Sequence, residues 1–241
     1  MIIFFPVIRV TLADMPEFPQ PPFPENLACV IFDMDGTLAK SNDLIFASFN
    51  HVAAKYLGRT LSEQEIISLF GPPEEGSLGR ILEERSVPGA MDDLCSFYER
   101  EHAGMASLHH GIDDILKFLA NHGVRLAVFT GKGKRTASIS LEQLEIAEYF
   151  DLVVSGSDVV RHKPHPEGIQ RILSDFGVSP GQTLMVGDSV SDIVASRAAG
   201  VAVASVLWDC YDRDSVLREK VDFRFEQVAE MKAWFDSQFE S

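Results

Sequence analysis

The run Ala28-Cys29-Val30-Ile31-Phe32 places the strongest constraint on how this chain can fold. It is rich in strand formers and stops abruptly at a carboxylate, which reads as a buried strand ending at Asp33. The following Asp33-Met34-Asp35-Gly36-Thr37-Leu38 puts two acids, two positions apart, at the C-terminal mouth of that strand. Residues two apart in a strand point the same way; a turn at Gly36 would instead carry Asp35 to the other side of a bound molecule. One carboxylate could attack while the other manages protons. Asp and Gly also form plain turns, and acids at strand ends suit metal ions, so both of these readings stay open on this segment alone.

From His110 onward the pattern recurs. Helices are predicted over 112–121, 135–147, 166–176, 190–199 and 226–237, and strands over 124–130, 152–154, 183–187, 201–207 and 222–225. Alternation of this kind predicts an α/β fold of parallel βαβ units with right-handed crossovers. The strand ends at Asp33, Thr130, Ser155 and Gly187-Asp188 then share one rim, where open α/β sheets bind ligands. Residues 44–108 differ. Leu44, Ile45, Phe49, Val52 and Leu57 recur at helical spacing, and Ser62 with Glu65 forms a capping-box signature opening a helix through Phe70. After a break at Gly71-Pro72-Pro73, helices are expected over 76–86 and 90–103, separated by Val87-Pro88-Gly89, with no strand. A helical unit is therefore inserted after the first strand.

The formal charge of −15 argues against non-specific binding to nucleic acid or to anionic membranes. Cys29, Cys95 and Cys210 form no CxxC pair and read as reduced thiols in a cytoplasmic protein. Residues 1–26 read as an extension outside the core. Met1–Leu12 is apolar but interrupted by Pro6 and Arg9, too short to span a bilayer, and lacks a basic leader. Met15–Pro24 is Pro-rich and expected to be extended or disordered.

Three more segments carry chemistry. In Thr130-Gly131-Lys132-Gly133-Lys134-Arg135, a hydroxyl at a strand end, small residues and a helix start suit a phosphate group, though an ordinary loop with solvated lysines has the same look. Lys163, in His162-Lys163-Pro164-His165-Pro166, could hold a nucleophilic carboxylate ionised and neutralise phosphate. His109, His110, His162 and His165 are assigned surface or supporting roles. In Gly187-Asp188-Ser189-Val190-Ser191-Asp192, Asp188 could share a cation with Asp33, while Asp192 could ligate it, orient a water or Lys163, or simply cap a helix. Hard cations take oxygen ligands, so Asp33, Asp188 and a backbone carbonyl near Asp35 would suit Mg²⁺.

Together these four segments resemble the haloacid-dehalogenase-like hydrolase superfamily over about residues 27–225: DMDGTL, Thr130 in VFTGK, Lys163 in HKPHP, and GDSVSD. The resemblance implies a Rossmann-like core (27–43 and 109–241) with a mobile helical cap (44–108), as in phosphoglycolate phosphatases and β-phosphoglucomutases. It implies Asp33 as nucleophile and Asp35 as acid/base. Thr130, Gly131, Lys132 and Lys163 would hold phosphate, and Mg²⁺ would sit on Asp33, the Asp35 carbonyl and Asp188, supported by Asp192. The expected activity is Mg²⁺-dependent hydrolysis of a small phosphorylated metabolite through an aspartyl-phosphate, by a monomer or homodimer. A phosphomutase is the alternative, and a catalytically idle binding module a more distant one. Hinges are expected near 39–43 and 106–111. Substrate selection is expected from Gly71–Gly76 and from a rim of Lys132, Lys134 and Arg135. The sequence departs from phosphoglycolate phosphatases at Ala39-Lys40-Ser41 and at Trp208-Asp209-Cys210-Tyr211, which leaves substrate identity open.

Overall fold

The computed structural model describes residues 26–239, so the extension expected over 1–26 lies outside the described residues except for Asn26. In chain order the elements are β1 (Cys29–Phe32), β2 (Ala39–Lys40), α1 (Asn42–Leu57), α2 (Glu63–Ile67), α3 (Glu74–Leu78), α4 (Val87–Met105) and β3 (Ser107–Leu108). They continue as α5 (Ile112–Asn121), β4 (Arg125–Phe129), α6 (Lys134–Gln143), β5 (Leu152–Val154), α7 (Glu167–Phe176), β6 (Thr183–Gly187) and α8 (Val190–Ala199). The last are β7 (Ala202–Val206), α9 (Arg213–Arg218), β8 (Phe223–Phe225) and α10 (Val228–Phe239).

Six strands form one parallel sheet in the order β5-β4-β1-β6-β7-β8. The chain builds outward from β1 through β4 and β5, then returns to β1's other edge for β6, β7 and β8. That reversal opens a crevice at the carboxyl end of β1, the usual ligand position in such sheets. In register, Phe32 faces Val128 of β4 and Val186 of β6, so the next residues of all three strands emerge together on that rim. β1 is apolar throughout because both its faces are covered. Cys29 and Ile31 join Ile169 and Ile172 of α7, whereas Val30 and Phe32 join Ile112 and Leu116 of α5. Burying each large apolar side chain here stabilises the fold by about 1.5–3 kcal/mol.

The inserted helices form a cap with its own apolar core, including Phe49, Val52, Ile66, Leu78 and Leu94. Its helix α4 lies against α6 of the sheet layer, where Tyr98 Oη and Ser140 Oγ meet at 2.9 Å and Arg135 donates to Asp92 at 2.8 Å. The two links expected to be hinges are zipped to each other by the antiparallel pair β2–β3.

Several local expectations are corrected. A strand, β3, does occur between 44 and 108; at two residues it is too short to show periodicity. The helix expected over 76–86 is instead α3, ending at Leu78, with a 3₁₀ turn at Glu84–Ser86; Gly76 and Gly79 weaken any longer helix. Val87-Pro88-Gly89 starts α4 rather than interrupting the helices, because proline is tolerated in a first turn that lacks backbone partners. Helix α9 was not expected; the Asp212 carboxylate caps it by accepting Ser215 N–H at 3.3 Å.

Candidate active site

Asp33 prolongs β1 by one hydrogen bond, its N–H donating to Val186 O at 2.9 Å, and its side chain then enters the crevice. Lys163 arrives there from the loop before α7. Its ammonium stands 2.9 Å from Asp33 Oδ1, donates to Asp192 Oδ1 at 2.7 Å and to Phe129 O at 3.0 Å. Three acceptors match the three N–H bonds of an ammonium, so the group is fixed in place. Burial alone would lower the Lys163 pKa, but the Asp192 and Asp33 carboxylates reverse this and hold it above its ordinary value. Burial pushes Asp33 up to about 7 against the pull of Lys163.

Asp35 is held from two sides. Ser41 Oγ donates to its Oδ1, and Lys132 Nζ lies 3.4 Å from its Oδ2. Here the structure corrects the rim expected from sequence. Lys132 is buried at 7% exposure, its ammonium lies 4.5 Å from the centre of the Tyr98 ring, and Glu74 Oε1 is 4.0 Å away. Burial opposes the charge on Lys132, but Asp35, Tyr98 and Glu74 overcome it and raise its pKa. Lys134 is exposed, and Arg135 is spent on Asp92 of α4; neither lines the cavity. Thr130 and Gly131 do line it, and Thr130 Oγ1 accepts Lys132 N–H at 3.2 Å, bracing the loop.

Asp188 follows β6 and faces Asp33. Asp33, Asp188 and Asp192 each offer a carboxylate oxygen within 4.8 Å of the others, all buried. Burial, then the Asp33 and Asp192 charges, raise Asp188 well above the carboxylate range. Thr37 Oγ1 donates to its Oδ1 at 3.1 Å, and the Cys210 thiol donates to its backbone carbonyl at 2.9 Å. Two glycines permit this crowding. A Cβ on Gly36, at φ +78°, would meet Asp188 Oδ2 at 2.5 Å, and one on Gly187 would meet Asp192 Cγ at 2.5 Å.

Three buried carboxylates meet here and only two of them, Asp33 and Asp192, contact the Lys163 ammonium; oxygen donors are what a hard divalent cation takes, so the donor set fits Mg²⁺. The Asp192 oxygens are already committed, Oδ1 to Lys163 and Oδ2 to Ser189 N–H and Oγ. That leaves Asp33 and Asp188 as the acids free to ligate. Among the histidines, His165 Nδ1 accepts Glu167 N–H at 3.1 Å and helps start α7.

Around these groups is a cavity of about 440 Å³, roofed by the cap through Ile45, Phe49, Phe70 and Pro72. Glu74 of α3 closes the seam. Its Oε2 accepts Gly133 N–H at 2.6 Å and its Oε1 accepts Thr136 Oγ1 at 2.6 Å, so a cap carboxylate serves the N-terminus of α6. Tyr98 and Glu74 are site residues that sequence reasoning did not single out. Glu74 lay inside the Gly71–Gly76 loop expected to select substrate, and its acid after two prolines was a usable helix-start signal. Nothing local marked Tyr98.

A buried acid at a strand end, its ammonium partner and an acidic cluster beneath a helical cap are the arrangement of a phosphohydrolase. The profile of the haloacid dehalogenase-like hydrolase family matches residues 30–206, and the chain belongs to that family. It is 31% identical over 208 residues to the pyrophosphatase PpaX of Bacillus pumilus, covering 85% of this chain and 94% of that protein. A haloacid dehalogenase-like hydrolase from Streptococcus pneumoniae superposes with a TM-score of 0.70 at 26% identity, covering 87% and 99% of the two chains. CbbY from Rhodobacter sphaeroides, solved with phosphate, shares the fold with a TM-score of 0.74 at 21% identity, covering 85% and 96%. Among the described residues no helix is long and apolar enough to cross a membrane.

Proposed function

We propose that this chain is a Mg²⁺-dependent phosphatase that hydrolyses a small phosphorylated metabolite through an aspartyl-phosphate on Asp33. The observation that carries this reading is the pairing of Asp33, fixed by Lys163, with a second acid, Asp35, positioned by Ser41 and Lys132 in the same cavity. Asp33 attacks phosphorus, forming its Oδ–P bond as the ester P–O bond breaks. Asp35 gives its proton to the leaving alkoxide. Asp35 then takes a proton from water, the resulting hydroxide attacks phosphorus, and the Oδ–P bond breaks to release inorganic phosphate and restore the Asp33 carboxylate. Lys163, Thr130 and the Gly131 backbone offer positive or donor groups to the phosphoryl oxygens. Mg²⁺ on Asp33, Asp188 and the Asp35 carbonyl would supply further charge neutralisation. Asp192 holds Lys163 in line through its 2.7 Å ion pair. We assign residues 27–43 and 109–241 to the catalytic core and 44–108 to the cap.

The test is a panel of phosphate esters with Mg²⁺, run on the wild type and on Asp33→Asn. Turnover lost in the variant, with a phosphoenzyme trapped only in the wild type, is the expected result. Wild-type turnover by Asp33→Asn would refute the nucleophile.

A further inference from the structure

We infer that the substrate is a monophosphate ester of an uncharged alcohol with an apolar, preferably aromatic, body, rather than a molecule with a second anionic group. This rests on the phosphatase reading above and concerns the half of the cavity that the transferred phosphoryl group does not fill.

Beside the polar Asn42, Ser77, Ser189 and Ser191, that half is apolar and aromatic. Ile45, Phe49, Phe70 and Pro72 line it from the cap, and Val190 and Tyr211 from the core rim. Phe46 continues the surface: its ring stacks on Phe70 with centroids 6.2 Å apart and 17° between planes, and lies 6.5 Å from Tyr211. Phe70 and Tyr211 remain 40% and 48% exposed and so are open to a bound molecule. A cavity of about 440 Å³ exceeds what a phosphoryl group needs and lies within the small-molecule range.

Charge decides against a second anion. Among the described residues lining the cavity there is no arginine, and its two lysines both stand at the catalytic acids: Lys163 against Asp33 and Asp192, Lys132 at 3.4 Å from Asp35 and 4.0 Å from Glu74. The lining charges outside the catalytic groups are Glu74 and Asp212, both negative. Glu74 moreover already takes the Gly133 N–H and the Thr136 hydroxyl at the start of α6, and places a negative charge where a distal phosphate or carboxylate would otherwise bind. A glycolate carboxylate, a second phosphate of a bisphosphate, or the outer phosphate of pyrophosphate would meet Glu74 and Asp212 with no cationic side chain beyond the two lysines at the catalytic acids. The chain thereby parts from the pyrophosphatase activity named for its relatives.

The experiment compares kcat/KM of the wild-type full chain with Mg²⁺ for 2-phenylethyl phosphate, phosphoglycolate and pyrophosphate. The first two are esters of primary alcohols, which keeps leaving-group differences small. The inference expects 2-phenylethyl phosphate to be preferred over both by about tenfold or more. Phe70→Arg should raise KM for 2-phenylethyl phosphate and lower it for phosphoglycolate. Tyr211→Arg, at an equally exposed position, asks the same if that variant does not fold. A preference under about threefold, or one for either competitor with a second anionic group, overturns the inference while the phosphatase reading stands. Absence of turnover of every phosphate ester would overturn both together.

Discussion

The Glu74 carboxylate of the cap accepts the Gly133 N–H of the core at 2.6 Å. With its second oxygen on Thr136 Oγ1, one side chain bridges the two layers of the molecule directly over the cavity. Hydrogen bonds to a charged group contribute about 1.5–3 kcal/mol. Glu74→Ala should therefore loosen the seam: a lower urea midpoint, a KM raised several-fold, and faster hydrogen exchange at Gly133. Glu74→Gln should recover part of this, since it keeps one acceptor but turns an amide donor toward the other donor. Unchanged exchange at Gly133 in Glu74→Ala would contradict the latch.

The carboxylate cluster makes stability depend on pH and metal together. Asp33 is raised from 3.8 to about 7, so between those values the folded protein holds a proton that the unfolded chain has released. Metal-free stability then falls as pH rises through that window, and the deficit is complete above about 7. Asp188 is raised as well and acts in the same direction. Mg²⁺ should thus raise the melting temperature more at pH 8 than at pH 5, and Asp33→Asn should stabilise the metal-free protein at pH 8. Thermal melts in EDTA and in Mg²⁺ read this directly; an equal gain at both pH values contradicts it.

Lys132 touches Asp35 from a buried position rather than facing solvent. Lys132→Met should therefore lower kcat by about tenfold to a hundredfold, because a proton-transfer group loses its positioning partner. KM should change by less than about threefold. Steady-state kinetics on 2-phenylethyl phosphate or another turned-over ester separate the two; a KM effect alone would return Lys132 to direct substrate binding.

Gly36 is one of the two tight approaches of the backbone to the acidic site, with Gly187. Gly36→Ala adds a Cβ against Asp188 at a φ of +78°, where side chains are strained. Titration calorimetry should show Mg²⁺ affinity reduced by about tenfold or more, since displacing a metal-site carboxylate or its support has that effect. Retained affinity in a folded Gly36→Ala would remove Asp188 from the ligand set.

Much of this was legible in one dimension. The apolar run of β1 needs a two-sided sheet interior, and the polar break at Asp33 marks where that interior ends. The same logic located Thr130 and Asp188, because strand ends in a parallel sheet share a rim irrespective of how far apart they lie in sequence; Lys163, in a loop, stood out only by the prolines that follow it and its charge. The errors were of another kind. Val87-Pro88-Gly89 has a composition that breaks helices in their middle but is accepted at their start, and local sequence does not say which applies.

What the sequence determined by itself was the α/β order, the inserted helical unit and the strand-end acids and hydroxyl on the rim, since periodicity and strand termination are local properties. What only the tertiary structure decided was the environment of those groups. Lys132 and Lys134 look alike in a strand–helix loop; packing of α4 over α6 buries one among Asp35, Tyr98 and Glu74 and leaves the other in water. Desolvation and long-range charge pairing depend on which surfaces meet, and that information resides in the packed layers rather than in any stretch of the chain.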